Sequence, residues 1–256
     1  LAQVGLQLYT VREAMENDFE GTLRKVAELG YQGVEFAGFY GRSAEQVTSI
    51  LNETGLIVLG AHTPYTNLCD QLEEEIAFNL AIGNRFLICP YLTEEDRNRW
   101  NEVIEDLKVI GKRCSEAGLV LCYHNHEFEL TQLLGDKTVL DTIYDEVPSS
   151  LLQVELDSCW VSYAGYDPLQ YIAKYSDRLP ILHLKDMVTK EDGSPETVEL
   201  GKGEIAIKAI ADAAVAAGVE WLVVEQDYCA QDPLESIKVS MDWIKGYAKQ
   251  GGNLNV

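Results

Sequence analysis

The chain carries no CxxC pair, few histidines and no long apolar run, and its basic residues are outnumbered two to one. Each shortage closes off a class of protein. Six cysteines stand far apart, at 69, 89, 114, 122, 159 and 229. Zinc fingers and redox dithiols need closely spaced thiols, so these read instead as buried thiols of a reducing compartment. Twenty Lys and Arg against 42 Asp and Glu give a formal charge of −22. Such a surface repels phosphate backbones and anionic lipids, which argues against nucleic-acid and membrane partners. No segment reaches the ~18 apolar residues of a membrane span, and no basic leader with an apolar stretch opens the sequence, so a soluble, cytoplasmic protein is expected. A hydrophobic content of 46% with 24% charged residues over 256 positions is that of an ordinary globular chain.

What is present is alternation. Short β-branched runs are followed by stretches of helical period, eight times over, as in a parallel sheet built from βα units. The strands are expected at Val4 to Tyr9, Gly33 to Ala37, Leu56 to His62, Arg85 to Pro90, Leu119 to His126, Leu151 to Asp157, Pro180 to Lys185 and Trp221 to Asp227. The helices are expected at Asp18 to Leu29, Ser43 to Glu53, Leu68 to Ile82, Glu94 to Ala117, Lys137 to Val147, Pro168 to Tyr175, Glu204 to Ala217 and Leu234 to Tyr247. Gly30, Gly55, Gly83, Gly118 and Gly218 each fall between a helix and the next strand, where a left-handed cap favours glycine. No linker or low-complexity stretch interrupts the array, so residues 1 to 256 are read as one α/β domain, a single (β/α)8 TIM barrel. The least patterned stretch, Met187 to Gly203, is long for a βα connection and is expected either to border the active site or to be a mobile excursion.

In a parallel barrel, side chains alternate between interior and helix layer, and chemistry sits where strands end. The last four strands each end in ionisable residues two apart: His124 and His126, Glu155 and Asp157, His183 and Lys185, Glu225 and Asp227. Unpaired burial of such groups costs several kcal/mol each, so a compensating partner is required. A divalent cation meets that demand, and mixed imidazole and carboxylate donors suit zinc, manganese, cobalt, iron or nickel. The expected ligands are His124, Asp157, His183 and Glu225, one per strand, with His126, Glu155, Lys185 and Asp227 supporting the ion or the substrate. Any one strand-end histidine is more often a hydrogen-bonded core residue; the inference rests on four strands agreeing.

The segments GYQGVEFAGFYG (30 to 41), YHNHEFE (123 to 129), VELDSCWVSYAGYDP (154 to 168), ILHLKD (181 to 186) and VVEQD (223 to 227) resemble the xylose-isomerase-like sugar phosphate isomerase/epimerase superfamily, over nearly the whole chain. The likeness is greatest to the branch of inosose dehydratase-like and 3-keto-glycoside-processing proteins. It implies one divalent metal, with magnesium among the candidates, held by a Glu, Asp, His, Glu set. Asp157, His183 and the final Glu225 match that set. The first glutamate does not carry over: His124 of the HNH tract stands there, with Glu129 as the alternative, and His124 is preferred because the tract continues the strand. Family epimerases work with two opposed glutamates, so an imidazole on one face tilts the expectation toward elimination.

The reaction expected is proton abstraction next to a carbonyl, leading to isomerisation, epimerisation or loss of a β-substituent. Glu225 or His126 is the expected base, with Lys185 and Glu155 delivering protons or stabilising charge. Gln7, Tyr9, Glu35, His62, Glu129, Trp160 and Asp227 are expected to touch a small carbohydrate substrate; His62 has an equal claim to a structural role. Phe39 reads as core packing. No cationic cradle for a phosphate is evident beyond a weak one at Gly201 to Gly203 with Lys202. Two alternatives stand: a non-catalytic sugar-binding barrel, and an abasic-site endonuclease, which four histidines and the negative charge disfavour. A homo-oligomer is possible, with no face identifiable.

Overall fold

Eight strands close on themselves in the computed structural model, which describes residues 1–255. In chain order they are β1 (Ala2–Gln7), β2 (Gly33–Phe36), β3 (Ile57–His62), β4 (Phe86–Cys89), β5 (Val120–His124), β6 (Gln153–Asp157), β7 (Ile181–Leu184) and β8 (Trp221–Val224). Each pairs in parallel with its neighbour, and β8 pairs with β1 through Gln3 with Trp221 and Leu6 with Val224, completing the barrel. A two-residue strand, Leu254–Asn255, adds to the start of β1.

Two apolar layers hold the barrel. Residues pointing outward, such as Val4, Leu6, Leu87, Leu121, Leu156 and Leu182, are fully buried against the surrounding helices. Each such side chain contributes about 1.5–3 kcal/mol on leaving water. Inside the barrel lies a second cluster of Leu59, Phe86, Ile88, Cys122, Ile181, Trp221 and Val223. Its volume is balanced by glycine: a Cβ on Gly5 would stand 2.1 Å from Leu59 Cδ2, and one on Gly33 would meet the Trp221 ring at 2.8 Å. This plug fills the lower barrel. Polar side chains therefore occupy the interior only near the C-terminal strand ends.

All eight expected strands are present, several trimmed. β1 stops at Gln7 and passes into a 3-10 turn, Leu8–Val11, because the Gln7 side chain accepts from the Tyr9 amide and turns the chain. β5 stops at His124, so the HNH tract leaves the strand instead of continuing it. The expected helix at 68 to 82 is two helices, Tyr65–Asp70 and Leu72–Ala81, parted at Gln71, whose φ of −135° is non-helical. That at 94 to 117 is a 3-10 turn followed by Trp100–Ala117. Short helices at Arg12–Asn17, Phe128–Thr131 and Ser158–Tyr163 fall where no periodicity announced them. All five cap glycines have positive φ, 103° at Gly30 and 88° at Gly118.

Met187 to Gly203 carries regular structure of its own. Asp186–Thr189 and Pro195–Val198 form an antiparallel hairpin. The returning chain is pinned by the buried Asp186 carboxylate, which accepts from the amides of Gly201, Gly203 and Ile205. Of the cysteines, Cys89, Cys114, Cys122 and Cys159 are buried as expected, whereas Cys69 is exposed and Cys229 only half-buried; all are free thiols. No helix among the described residues is long and apolar enough to cross a membrane.

Candidate active site

Above the apolar plug, interior positions of six strands change from carbon to donor atoms: Gln7, Glu35, His62, His124, Glu155 and His183 are all buried or nearly so. The irregularity in β3 sets part of this. Leu59 is an extra residue between the pairs Val34 with Val58 and Glu35 with Gly60, so both Leu59 and His62 reach the interior. The lower polar layer is then tightly bonded. Gln7 Nε2 donates to Glu35 Oε1 at 2.6 Å; His62 Nε2 stands 3.0 Å from Glu35 Oε1 and 2.8 Å from Glu155 Oε2. Burial alone would lower the His62 imidazolium, but the two carboxylates raise it to about 10. Gln7 and Glu35 thus lie beneath the cavity and not on its wall, contrary to a direct role in touching substrate.

The upper layer contains the four expected ligands. One donor atom each from His124, Asp157, His183 and Glu225 all lie within 4.8 Å of one another, and every one of these residues is buried. Three of them are aimed by a second bond. Glu155 Oε2 stands 2.9 Å from His124 Nδ1, leaving Nε2 for the cluster. Asp157 Oδ1 caps the helix Ser158–Tyr163 by accepting from the amides of Cys159 and Trp160, which turns Oδ2 inward toward the cluster. His183 Nε2 is held by Glu35 Oε1 at 2.9 Å, so Nδ1 faces Glu225 Oε2, also at 2.9 Å. A second set, His62, His124, Glu155 and His183, has similar spacing. Those atoms are already hydrogen-bonded to each other, so this lower set is better described as the orienting layer under the first.

Lys185 completes the cluster. Its ammonium is 2.9 Å from Asp157 Oδ2, 2.8 Å from Glu225 Oε2 and 2.8 Å from Asp227 Oδ2. Burial would raise the Glu225 carboxyl, but Lys185 and His183 hold it well below its usual range. Burial raises Asp157, with Lys185 opposing. Apart from the oxygens that face Lys185, buried Glu35 Oε2, Glu155 Oε1, His126 Nδ1 and Trp160 Nε1 have no hydrogen-bond partner in the site.

His126 lies two residues beyond the end of β5. Its ring stacks on Phe128 at 5.4 Å, meets Tyr91 edge-on at 5.3 Å and Trp160 at 5.8 Å. Burial, reinforced by the Lys185 charge, pushes its imidazolium down to about 3, so the ring is neutral. Trp160 packs between His126 and Lys185, whose ammonium is 5.1 Å from the indole centre. It backs the site without forming its wall. Phe39 packs on Phe36 and Phe78, as core.

Glu129 is a correction. It is fully buried on the helix side of β5, accepting from Tyr123 Oη at 2.6 Å and from the His126 amide at 2.8 Å. Tyr123 and His124 point to opposite faces, so Glu129 can neither replace His124 nor touch a ligand. It fixes the turn that carries His126.

A cavity of about 420 Å³ opens over the cluster, walled by Tyr9, His62, His124, His126, Glu225 and Asp227 together with Ala37, Gly38, Pro64, Pro90 and Tyr91. The last five were not anticipated; their only sequence signal is that they follow strands β2, β3 and β4 directly. Asn125 was also missed. Its side chain accepts from the Asp157 amide at 2.9 Å and donates to the Asp157 carbonyl at 3.3 Å, tying the ends of β5 and β6 together.

These features define a parallel α/β barrel with a cluster of buried acids and imidazoles at its C-terminal mouth. The chain belongs to the Xylose isomerase-like TIM barrel family, which matches residues 23–247. Inosose dehydratase of Clostridium perfringens (strain 13 / Type A) is 24% identical over 201 residues, 69% of this chain and 66% of that protein, so slightly under two thirds of the relative's length is matched. A sugar phosphate isomerase/epimerase of Parabacteroides distasonis superposes with a TM-score of 0.81 at 20% identity, covering 96% of this chain and 98% of that one. The 3-keto-D-glucoside 4-epimerase of E. coli gives 0.73 at 16% identity, covering 96% and 100%. At these identities the solved structures establish the fold alone.

Proposed function

We propose that the protein is a divalent-metal-dependent enzyme that abstracts the proton next to a carbonyl of a keto-sugar, keto-glycoside or cyclitol. The observation that carries this is the convergence of His124, Asp157, His183 and Glu225 within 4.8 Å, each at the end of a different consecutive strand. Two imidazoles and two carboxylates suit manganese, cobalt, zinc, iron or nickel, and also magnesium with water completing the shell. The inward-facing Asp157 Oδ2, which Lys185 neutralises, and the pre-aimed Nε2 of His124 fit such an ion. When bound, the ion supplies Lewis-acid polarisation of the substrate carbonyl.

The remaining work falls to the chain. His126 lines the cavity and no hydrogen bond engages its ring, so in this reading it is the group that accepts the carbon-bound proton. Glu225 is less suited as base, because its Oε2 is already engaged by His183 and Lys185. Phe128, Tyr91 and Trp160 surround His126 and keep water from it. Lys185, buried beneath the cavity, holds a proton at Nζ against Asp227, which lines the wall, so in this reading a departing hydroxyl is protonated through that pair. Glu155, bonded to His62 and His124 beneath the floor, orients rather than delivers protons. A neutral imidazole and an ammonium are chemically unlike, which favours elimination of water over a symmetric epimerisation. Relatives named for both outcomes, inosose dehydratase and 3-keto-D-glucoside 4-epimerase, are consistent with chemistry of this kind.

Incubation with manganese and an inosose or 3-keto-glucoside in deuterated water tests the reading. The expected result is manganese-dependent exchange of the proton next to the carbonyl, falling at least ~100-fold in His126→Asn while manganese still binds. Exchange unaffected by chelation, or no manganese binding by calorimetry, would overturn it.

A further inference from the structure

The upper half of the cavity is built differently from its floor. Tyr9 follows β1 and Tyr91 follows β4, three strands apart round an eight-stranded barrel, so the two rings approach the mouth from different sides. Both are large and unusually open, 42% and 49% exposed. Pro64 and Pro90 continue the same apolar wall.

Both rings are held still. Arg12 donates to the Tyr9 carbonyl at 2.8 Å and lays its guanidinium 4.1 Å from the Tyr9 ring centre. Arg97 donates to the Leu92 carbonyl at 2.8 Å and to the Tyr91 hydroxyl, and its guanidinium lies 4.8 Å from the Tyr91 ring centre and 3.5 Å from that of Phe128. A fixed aromatic face binds an apolar ring face at little entropic cost.

These two arginines are the cations nearest the mouth tyrosines, and neither belongs to the cavity wall; no Lys or Arg does. The wall carries carboxylates instead, from Glu225 and Asp227, and the ammonium of Lys185 beneath is already shared among three acids. A phosphate would meet those carboxylates, and the imidazolium on the wall, His62, is already paired with Glu35 and Glu155, so that only a bound ion could pair it. At about 420 Å³ the cavity falls in the ~300–1,000 Å³ range of pockets that enclose ligands larger than a single small ring.

We infer that the cavity has two subsites: a polar floor for the reacting ring, and a Tyr9–Tyr91 clamp for a second, uncharged ring joined to it. This rests on the function proposed above and narrows it to neutral glycosides, excluding sugar phosphates. The clamp sets which substrates enter, and the floor sets what happens to them.

Binding of three probes to the manganese-loaded protein tests this without requiring turnover: glucose, phenyl glucoside (both anomers) and glucose 6-phosphate, by calorimetry. Phenyl glucoside is expected to bind at least tenfold tighter than glucose, and glucose 6-phosphate no tighter than glucose. Tyr91→Ala and, separately, Tyr9→Leu are each expected to shrink the ratio of phenyl glucoside to glucose affinity at least fivefold, with circular dichroism confirming the fold. A phosphate-favouring order, a ratio unmoved by both variants, or no binding of either phenyl glucoside overturns the clamp. Manganese binding is measured in the same experiment. If manganese does not bind but the phenyl preference and its loss are seen, the metal reading falls and the clamp stands. If manganese binds without that preference, the clamp falls and the metal reading stands.

Discussion

Lys185 and Glu225 meet at a single oxygen: the ammonium lies 2.8 Å from Glu225 Oε2, the same atom that stands 2.9 Å from His183 Nδ1. Glu225 is also one of the four residues grouped for an ion. An ion held by those four residues would do the same electrostatic task as the ammonium, and the chain holds its acids in position without one.

Replacing Lys185 exposes this overlap. In Lys185→Met the acids Asp157 and Glu225 keep their burial and lose their counter-charge, a situation that costs about 3–5 kcal/mol. Thermal melts should show a large drop in chelated protein and recovery of most of it on adding manganese. A drop that manganese leaves untouched would show that Lys185 acts by packing and not by neutralisation.

Glu129 gives the stability a pH dependence. Burial raises its carboxyl from 4.5 to about 7, opposed by the Tyr123 hydroxyl and the His126 amide. Between those values the folded chain keeps a proton that the unfolded chain has released, so stability is full below about pH 4.5 and is lost as pH rises through about 7. The loss is roughly 3 kcal/mol at most. Urea denaturation of Glu129→Gln, compared with the parent at pH 5 and pH 8, should show the parent losing more across that interval.

Gly111 reverses an ordinary rule. Alanine in mid-helix normally stabilises by about 1 kcal/mol relative to glycine. Here a Cβ would stand 2.2 Å from the Leu151 carbonyl oxygen, which is backbone and cannot turn aside. Gly111→Ala should therefore destabilise, by roughly 1–3 kcal/mol from overpacking, in a denaturant titration. A gain in midpoint would refute the close approach.

Asn125 links two ligand-bearing strands. Removing its side chain in Asn125→Ala leaves the buried Asp157 amide without an acceptor, at a cost of about 1–3 kcal/mol. Because Asp157 then shifts relative to His124, manganese affinity should fall by about tenfold or more, the range seen when groups supporting metal ligands are lost. Unchanged affinity with reduced stability would confine Asn125 to a structural role.

Much of this site is visible in the order of residues. Period-two spacing of ionisable groups at four strand ends requires His124, Asp157, His183 and Glu225 to point inward, because adjacent residues on a strand face opposite ways. The cases that escaped are informative. Glu129 sits five residues beyond His124 and looks available, yet a short helix, Phe128–Thr131, turns it behind the strand onto Tyr123. Gln7 and Glu35 have inward parity like the ligands, but depth along the barrel, which parity does not encode, places them under the floor. Tyr91 and Pro64 have no pattern at all and become cavity walls only because loops after separate strands converge.

The amino-acid order alone determined the barrel, its eight strands and the inward set of acids and imidazoles, since alternation and periodicity are local properties read along one chain. Tertiary structure alone decided which donors share a layer, which carboxylates Lys185 neutralises, and which aromatic side chains line one cavity. Those depend on register between strands far apart in sequence, on the extra residue in β3 and on loop paths, and a hydrogen-bond distance between such groups is fixed only when the whole sheet has closed.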